Sequence, residues 1–158
     1  MLKDDVLIRL SASAVVQRLA DGRFLIVEEV INGRVVLDIP GGTWEDGETL
    51  LQTVVREAAE EAGITFQSIN YLGCFITHYT SNSGRSVCNV RAAFCGAMGE
   101  AVATVSRDPS TQAVHWMSLE ELEANLAQLR SSATLRCIRA YLSGRRFPLD
   151  YCNEEIDL

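Results

Sequence analysis

The stretch from residue 42 to residue 64, GTWEDGETLLQTVVREAAEEAGI, constrains the fold more than any other part of the chain. It predicts a glycine-containing loop followed by one amphipathic helix, because apolar residues recur at helical spacing and Gly63 is placed to end the helix. On that helix Glu57, Glu60 and Glu61 lie three and four positions apart, so they share one face. Like charges at this spacing repel by roughly a few tenths of a kcal/mol per pair, which favours a site for a cation.

Oxygen ligands on a fixed scaffold suit a hard divalent cation, Mg²⁺ or Mn²⁺, rather than zinc. The alternative interpretation is a solvated acidic helix face. A helix whose charges served only solubility would interleave basic residues with the acidic ones. From residue 35 to residue 66 the chain has one basic residue, Arg56, against a set of acidic ones: Asp38, Glu45, Asp46, Glu48, Glu57, Glu60 and Glu61. The charge balance therefore favours the metal site.

The spacing G-x5-E-x7-R-E-x-x-E-E-x-G resembles the signature of the Nudix hydrolases, which act on a nucleoside diphosphate linked to another group. Ala58 and Ile64 fill its two apolar positions. The fixed positions are Gly42, Glu48, Arg56, Glu57, Glu60, Glu61 and Gly63. The resemblance implies one Nudix domain over residues 1–158, of the α/β (α+β) class, with an α/β/α sandwich around a mixed β-sheet.

The resemblance also implies roles for the residues of the motif. Glu57 and Glu61 are expected to bind Mg²⁺, which Mn²⁺ can replace, with Glu60 as a further ligand and the Gly41 carbonyl helping from the loop. Arg56 is expected to hold Glu57 by an ion pair, so that Glu57, Arg56 and Glu60 form the catalytic group.

The general base is expected within the motif, at Glu57. Some relatives place a metal-binding acid where His115 precedes Trp116 here, and that departure favours a base on the helix. His78 and His115 are expected to be structural or surface residues. The later part of the chain offers three further acids as alternatives: Glu100, Asp108 and Glu120.

Two other segments, residues 27–33 and 138–149, resemble the NudJ-type phosphatases within this family. That resemblance implies a phosphatase of nucleoside tri- and diphosphates and of hydroxymethylpyrimidine pyrophosphate. The loop of residues 41–44, GGTW, departs from the Pro-Ala-Gly-His loop of that subgroup. The alternatives are a nucleotide-pool sanitising pyrophosphatase that removes oxidised dGTP, and a non-catalytic Nudix domain that senses a nucleotide.

Three residues outside the motif are candidate substrate contacts: Asn32, Arg34 and Tyr79. Each of them is also compatible with a turn, surface or packing role. The substrate is expected to be a small nucleotide or pyrophosphate, because a net charge of −7 disfavours a nucleic-acid polymer. The five cysteines form no C-x-x-C pair, and no segment has the length of a membrane span. The chain is expected to be cytoplasmic, without a membrane partner, and a monomer or homodimer.

Secondary structure follows from periodicity and turn signals. Asp21-Gly22 and Asn32-Gly33 predict hairpin turns, and Pro40-Gly41-Gly42 predicts a break in regular structure. Thr49 is predicted to cap the acidic helix. Its expected core stripe is Leu51, Val54, Val55, Ala58 and Ala62. Strands are predicted over residues 6–19, 24–30, 35–39, 64–72, 74–80, 86–98 and 114–117, and further helices over 119–129 and 134–142.

Overall fold

The computed structural model describes residues 6–101 and 108–155. Within these ranges the strands are β1 Val6–Val15, β2 Gln17–Arg18, β3 Arg23–Ile31, β4 Arg34–Asp38, β5 Gly41–Thr43, β6 Ile64–Thr80, β7 Ser86–Ala101 and β8 Thr111–Met117. The α-helices are α1 Leu50–Ala62, α2 Leu119–Ala124 and α3 Ser132–Leu142, with 3-10 turns at Leu126–Gln128 and Leu149–Tyr151.

The strands form two sheets. The first is mixed, with the order β5-β1-β7-β6: β1 runs parallel to β7, and the other neighbours are antiparallel. In the second, β3 pairs antiparallel with β2, β4 and β8. A backbone hydrogen bond connects the two sheets: the Leu25 N–H donates to the Val16 carbonyl at 3.0 Å.

Two hydrophobic cores lie on opposite faces of the strands. Side chains alternate between the two faces of a strand, so neighbouring residues such as Ala14 and Val15 enter different cores. Val54 and Ala58 of α1 belong to one core, and Ile138 of α3 belongs to the other. Each helix therefore covers its own face, and the predicted α/β/α sandwich is confirmed.

Both predicted hairpin turns are present. Asn32 and Gly33 have φ values of 53° and 76°, and Ile31 pairs with Arg34 across the turn. Two successive residues with positive φ are what a two-residue type I′ hairpin requires. Asn32 therefore has a structural role in the turn between β3 and β4.

The prediction of a break at Pro40-Gly41-Gly42 is wrong for the glycines. They belong to β5, which pairs with β1 through Ser13 opposite Gly41 and Ala12 opposite Gly42. A Cβ atom on Gly41 would lie 2.2 Å from the Ser13 Oγ. Glycine is required here because the two strands approach closely, which is a non-local property.

Further boundaries differ from the sequence predictions. The strand predicted over residues 6–19 is divided into β1 and β2, which belong to different sheets. Residues 64–80 form one strand instead of two, because Gly73 (φ 127°) occupies an irregularity in the pairing and does not end the strand. The helix predicted over residues 119–129 ends at residue 124. There Asn125 leaves helical geometry, and its side chain donates to the Glu121 carbonyl at 2.7 Å.

None of the helices in the described part of the chain is both long enough and apolar enough to span a membrane.

Candidate active site

Local interactions fix both ends of α1. Thr49 caps the start, where its Oγ1 accepts a hydrogen bond from the Gln52 N–H at 3.2 Å and the Gln52 side chain accepts one from the Thr49 N–H at 2.7 Å. Gly63 ends the helix with a φ of 65°. These predictions are confirmed. The fixed ends set the rotation of the helix and therefore the direction of its carboxylates.

A distant segment of the chain also contacts the start of α1. Phe147 pairs with Tyr71 on β6 through two backbone hydrogen bonds of 2.9 Å. Beyond this bridge, Glu154 Oε2 accepts a hydrogen bond from the Leu50 N–H at 2.6 Å. The first turn of α1 contains no acidic residue. Glu154 therefore supplies the negative charge that a helix N-terminus favours.

Glu57 and Glu61 lie on the buried side of α1, where they are only 7% and 4% exposed. With Val54 as position i, Glu57 is at i+3 and Glu61 is at i+7, and these positions ordinarily carry core residues. The predicted core stripe is right for Val54, Ala58 and Ala62, but wrong for Val55, which is 43% exposed. The direction of the stripe depends on what covers the helix, and here β5 covers the face that carries the carboxylates.

Arg56 connects the motif carboxylates. Its Nη1 donates to Glu57 Oε1 at 2.8 Å and to Glu60 Oε2 at 3.3 Å, so the expected ion pair with Glu57 is present. Its Nε and Nη2 donate to the two carboxylate oxygens of Glu48 at 3.1 and 2.7 Å. This two-bond pairing with Arg56 lowers the pKa of Glu48 to about 2. Glu48 therefore anchors Arg56, and Arg56 in turn orients Glu57.

Two glycines bring β5 against the carboxylates. The Gly41 N–H donates to Glu61 Oε2 at 2.8 Å. A Cβ atom on Gly42 would lie 2.2 Å from Glu57 Oε1, so a larger residue would displace that carboxylate. The expected role of the Gly41 carbonyl as a metal ligand stays a prediction.

The buried carboxylates are electrostatically unfavourable as they stand. Burial raises the pKa of Glu61 to about 9, and the charges of Glu57, Glu29 and Asp38 add to this effect. Burial also raises the pKa of Glu57; the Arg56 guanidinium opposes the shift, and the charges of Glu60 and Asp108 reinforce it. Such a site would be stabilised by additional positive charge.

The expected metal ligands lie along one side of α1 but do not converge. Among the residues of the described ranges, no three His, Cys, Asp or Glu side chains form a group that could hold a metal ion. The Arg56 guanidinium lies between Glu57 and Glu60, and Glu61 faces the Gly41 N–H. The all-oxygen donor set and the raised pKa values nevertheless fit a hard divalent cation. Binding would require small movements of these side chains.

Two acids outside the motif lie close to the site: Asp108, one of the three later acids named as an alternative base, and Glu29, which the sequence analysis did not single out. The Asp108 N–H donates to the Glu60 carbonyl at 3.0 Å. Ser110 Oγ lies 2.7 Å from Asp108 Oδ1 and 3.0 Å from Glu29 Oε1, so its single hydroxyl proton can be donated to either carboxylate. Glu29 is buried, and Arg130 pairs with it. An acid inside the apolar strand FLIVEEV was the available signal for Glu29. Among the three later acids, Asp108 is distinguished only by its tertiary contact with Glu60.

Those other acids lie elsewhere. Glu100 is exposed near the end of β7, and Glu120 is in the exposed first turn of α2. His115 accepts or donates a hydrogen bond with Glu28 at 2.7 Å, in line with a structural role.

The predicted substrate contacts lie in exposed positions. Asn32 is in the hairpin turn, Arg34 begins β4, and Tyr79 lies near the end of β6 with 42% of its surface exposed. No hydrogen bond or ion pair within the described ranges joins them to the carboxylates of α1. Their role in substrate binding stays a prediction.

Comparisons with known proteins agree with this geometry. A family model described as the NUDIX domain matches residues 8–137. The chain is 34% identical over 131 residues to the phosphatase NudJ of Escherichia coli K12, covering 83% of this chain and 82% of that protein. A NUDIX hydrolase from Nitrosomonas europaea superposes with a TM-score of 0.81 at 30% identity, over 93% of this chain and 97% of that one. A MutT NUDIX hydrolase from Burkholderia pseudomallei shares the fold, with a TM-score of 0.66 at 23% identity over 84% and 97% of the two chains.

Proposed function

The chain belongs to the Nudix hydrolases, which cleave phosphoric anhydrides, and we propose that it is a magnesium-dependent phosphatase of the NudJ type. Its proposed substrates are nucleoside tri- and diphosphates and hydroxymethylpyrimidine pyrophosphate, from which it releases inorganic phosphate. The observation that carries this proposal is the burial of Glu57 and Glu61 against the two glycines of β5. The 34% identity to the phosphatase NudJ supports the choice of subgroup.

In this proposal Glu57 and Glu61 hold the metal, with Glu60 and the Gly41 carbonyl as further ligands. When bound, a divalent ion supplies the positive charge that stabilises the phosphates as the anhydride bond breaks. Glu48 fixes Arg56, and Arg56 orients Glu57 through the 2.8 Å ion pair.

Either of two carboxylates can take the proton from the attacking water. Glu57 is the base that the sequence motif implies, although one of its oxygens already accepts a hydrogen bond from Arg56. Asp108 is the alternative that the tertiary structure adds, since Ser110 orients its Oδ1. Comparing the pH–rate profiles of E57Q and D108N distinguishes them, because only loss of the base removes the acid limb of the profile.

The substrate is proposed to be held mainly through its phosphates. Asn32, Arg34 and Tyr79 are exposed and are the proposed contacts to the remainder of the molecule. Few contacts to the base imply broad tolerance among nucleotides. That residues 1–158 form one domain, that the protein is cytoplasmic and that it is a monomer or homodimer stay predictions.

The proposed function is tested by measuring phosphate and pyrophosphate release side by side. The panel contains nucleoside di- and triphosphates, hydroxymethylpyrimidine pyrophosphate, ADP-ribose, NADH and oxidised dGTP, each with Mg²⁺, Mn²⁺, Ca²⁺ or EDTA. We expect phosphate release with Mg²⁺ or Mn²⁺, poor activity with Ca²⁺, and none in EDTA. A reaction without enzyme gives the background rate.

The other outcomes identify the alternatives. Pyrophosphate as the sole product from oxidised dGTP would indicate a pool-sanitising enzyme, and a strong preference for ADP-ribose would indicate another branch of the family. Turnover in excess EDTA would contradict the metal assignment. Nucleotide binding without any turnover would indicate a sensing domain.

A further inference from the structure

The segment from residue 136 to residue 146 has no part in the proposed reaction, yet it is the most basic part of the chain. It contains four of the fourteen Lys and Arg residues, namely Arg136, Arg139, Arg145 and Arg146. No acidic residue occurs between Ser131 and Leu149. This local excess of positive charge contrasts with the net charge of −7 of the whole protein.

Three of these arginines line a cavity between α3 and the edge strand β6. Its volume is about 390 Å³, and its lining includes Arg136, Arg139, Ser143, Arg145 and, from β6, Phe75. The helix α3 covers the face of the strands opposite to α1. The cavity is therefore separate from the carboxylates of the candidate active site.

Neutral groups of β6 hold two of the guanidinium groups in place. Arg136 Nη1 donates to the Ile76 carbonyl at 3.0 Å, and its guanidinium carbon lies 5.6 Å from the centre of the Phe75 ring. Arg145 Nη1 donates to the Leu72 carbonyl at 3.5 Å. The Arg145 guanidinium lies next to Gly73, where a Cβ atom would lie 3.6 Å from Arg145 Nη1.

These contacts orient the two arginines without neutralising them. Within residues 6–101 and 108–155, neither Arg136 nor Arg145 forms an ion pair with a carboxylate. Arg139 pairs with Glu123 at 2.7 Å, but both side chains are exposed, and such surface pairs are weak. The cavity thus retains positive charge from at least two fixed guanidinium groups, each of which has N–H donors left for a ligand.

We propose that this cavity is a second ligand site, which binds the phosphate groups of a small molecule. Guanidinium groups match the oxygens of phosphates and carboxylates with paired hydrogen bonds. A phosphate group offers more charge and more acceptor oxygens than a carboxylate, so it can engage more than one guanidinium group at once. The two carbonyls that anchor Arg136 and Arg145 are four residues apart on β6, or roughly 13 Å along an extended strand. That separation fits a chain of several phosphates better than a single one.

The site is tested by binding in EDTA, where no metal can hold phosphate at the catalytic carboxylates and no turnover occurs. The probes are inorganic tripolyphosphate and, separately, inorganic phosphate, followed by calorimetry and by ¹⁵N NMR shifts. We expect tripolyphosphate to bind more tightly than phosphate, to weaken as salt is added, and to shift amides of residues 72–76 and 136–146. Because the measurement needs no catalysis, its result is independent of the proposed function.

Matched variants separate this site from a general effect of charge. R136Q/R145Q should weaken tripolyphosphate binding at least tenfold. R18Q/R85Q removes the same charge from exposed positions on β2 and in the turn between β6 and β7, and should leave binding unchanged. Equal weakening by both pairs would overturn the proposal, as would NMR shifts confined to other residues or no binding at all. The NMR map of the unmodified protein decides the question even if a variant fails to fold.

Discussion

Glu61 occupies a position of α1 that would ordinarily hold an apolar core residue, and its protonation is therefore tied to stability. Burial raises its pKa to about 9 in the metal-free protein, well above the value of an unfolded chain. A carboxyl with a raised pKa contributes stability below the unfolded value, near 4.5, and this contribution is lost as the pH rises toward 9.

The E61Q variant cannot ionise at this position, so its stability should depend less on pH. In EDTA, the Tm of the unmodified protein should fall between pH 5 and pH 9, and the Tm of E61Q should fall by several degrees less. E60Q is the matched control, since it changes a half-buried acid on the same helix. Equal slopes for E61Q and the unmodified protein would show that Glu61 is not the titrating group.

Glu57 and Glu60 differ in burial and should differ in their effect on catalysis. Glu57→Gln keeps the shape but removes the charge of a buried carboxylate, so kcat with Mg²⁺ should fall by about 10³-fold or more, on the order of 4 kcal/mol. Glu60→Gln should cost about tenfold, since its carboxylate is more exposed to solvent. A folded E57Q protein with near-normal kcat would remove Glu57 from the active site.

At the scale of elements, the contact between β5 and α1 depends on Gly42. In Gly42→Ala the new methyl group would overlap the Glu57 carboxylate, which lies 2.2 Å from the Cβ position. The carboxylate must move, and a misplaced catalytic group typically costs about 10²-fold. We expect kcat to fall by at least this factor while the circular dichroism spectrum stays unchanged. Unchanged activity would mean that Glu57 functions from another position.

The elements that the sequence predicted well are those determined by local contacts. The Thr49 cap, the Gly63 end and the Asn32-Gly33 turn each depend on residues within a few positions of one another. The strand β5 could not be predicted in this way, because its glycines are needed for the approach of Ser13. The exposure of Val55 was missed for the same kind of reason, since the element that covers a helix is set by tertiary structure.

In the candidate site, too, some contacts could be predicted from the sequence and others could not. The resemblance to the Nudix family predicted that Arg56 would pair with Glu57, and the structure contains this pair. The sequence did not single out Glu29, and it offered Asp108 only alongside Glu100 and Glu120. The contact through Ser110 that brings Glu29 close to Asp108 joins residues 81 positions apart in the chain. The motif also could not show that Glu48 is the main partner of Arg56, since that pairing depends on how the preceding loop folds back onto the helix.

At the scale of the whole molecule, one buried ion pair joins the two sheets and α3. Arg91 donates to both oxygens of Asp38 at 3.0 and 2.7 Å, and Thr134 Oγ1 donates to Asp38 Oδ1 at 2.7 Å. These side chains connect β7, β4 and α3, and those of the ion pair are 7% and 5% exposed. Removing one partner would leave a buried charge without its counterion.

We therefore expect Asp38→Asn to lower the free energy of unfolding by about 3–5 kcal/mol. The matched control is Asp21→Asn, which breaks the exposed pair with Arg18 and should have a much smaller effect on stability. Urea denaturation of both variants measures the difference. Similar losses for the two variants would contradict a special role for the buried pair.

The contact of Glu154 with the start of α1 also has a consequence for how the protein is made. The two partners are 104 residues apart, so the ribosome completes α1 long before it reaches Glu154. At about 5–20 residues per second, the interval is about 5–20 s. During that time the nascent helix lacks this acceptor, and the side of the strands that residues 147–154 later cross is uncovered. Translation speed over residues 50–154, about two thirds of the chain, thus sets how long the first turn of the nascent helix is without this acceptor.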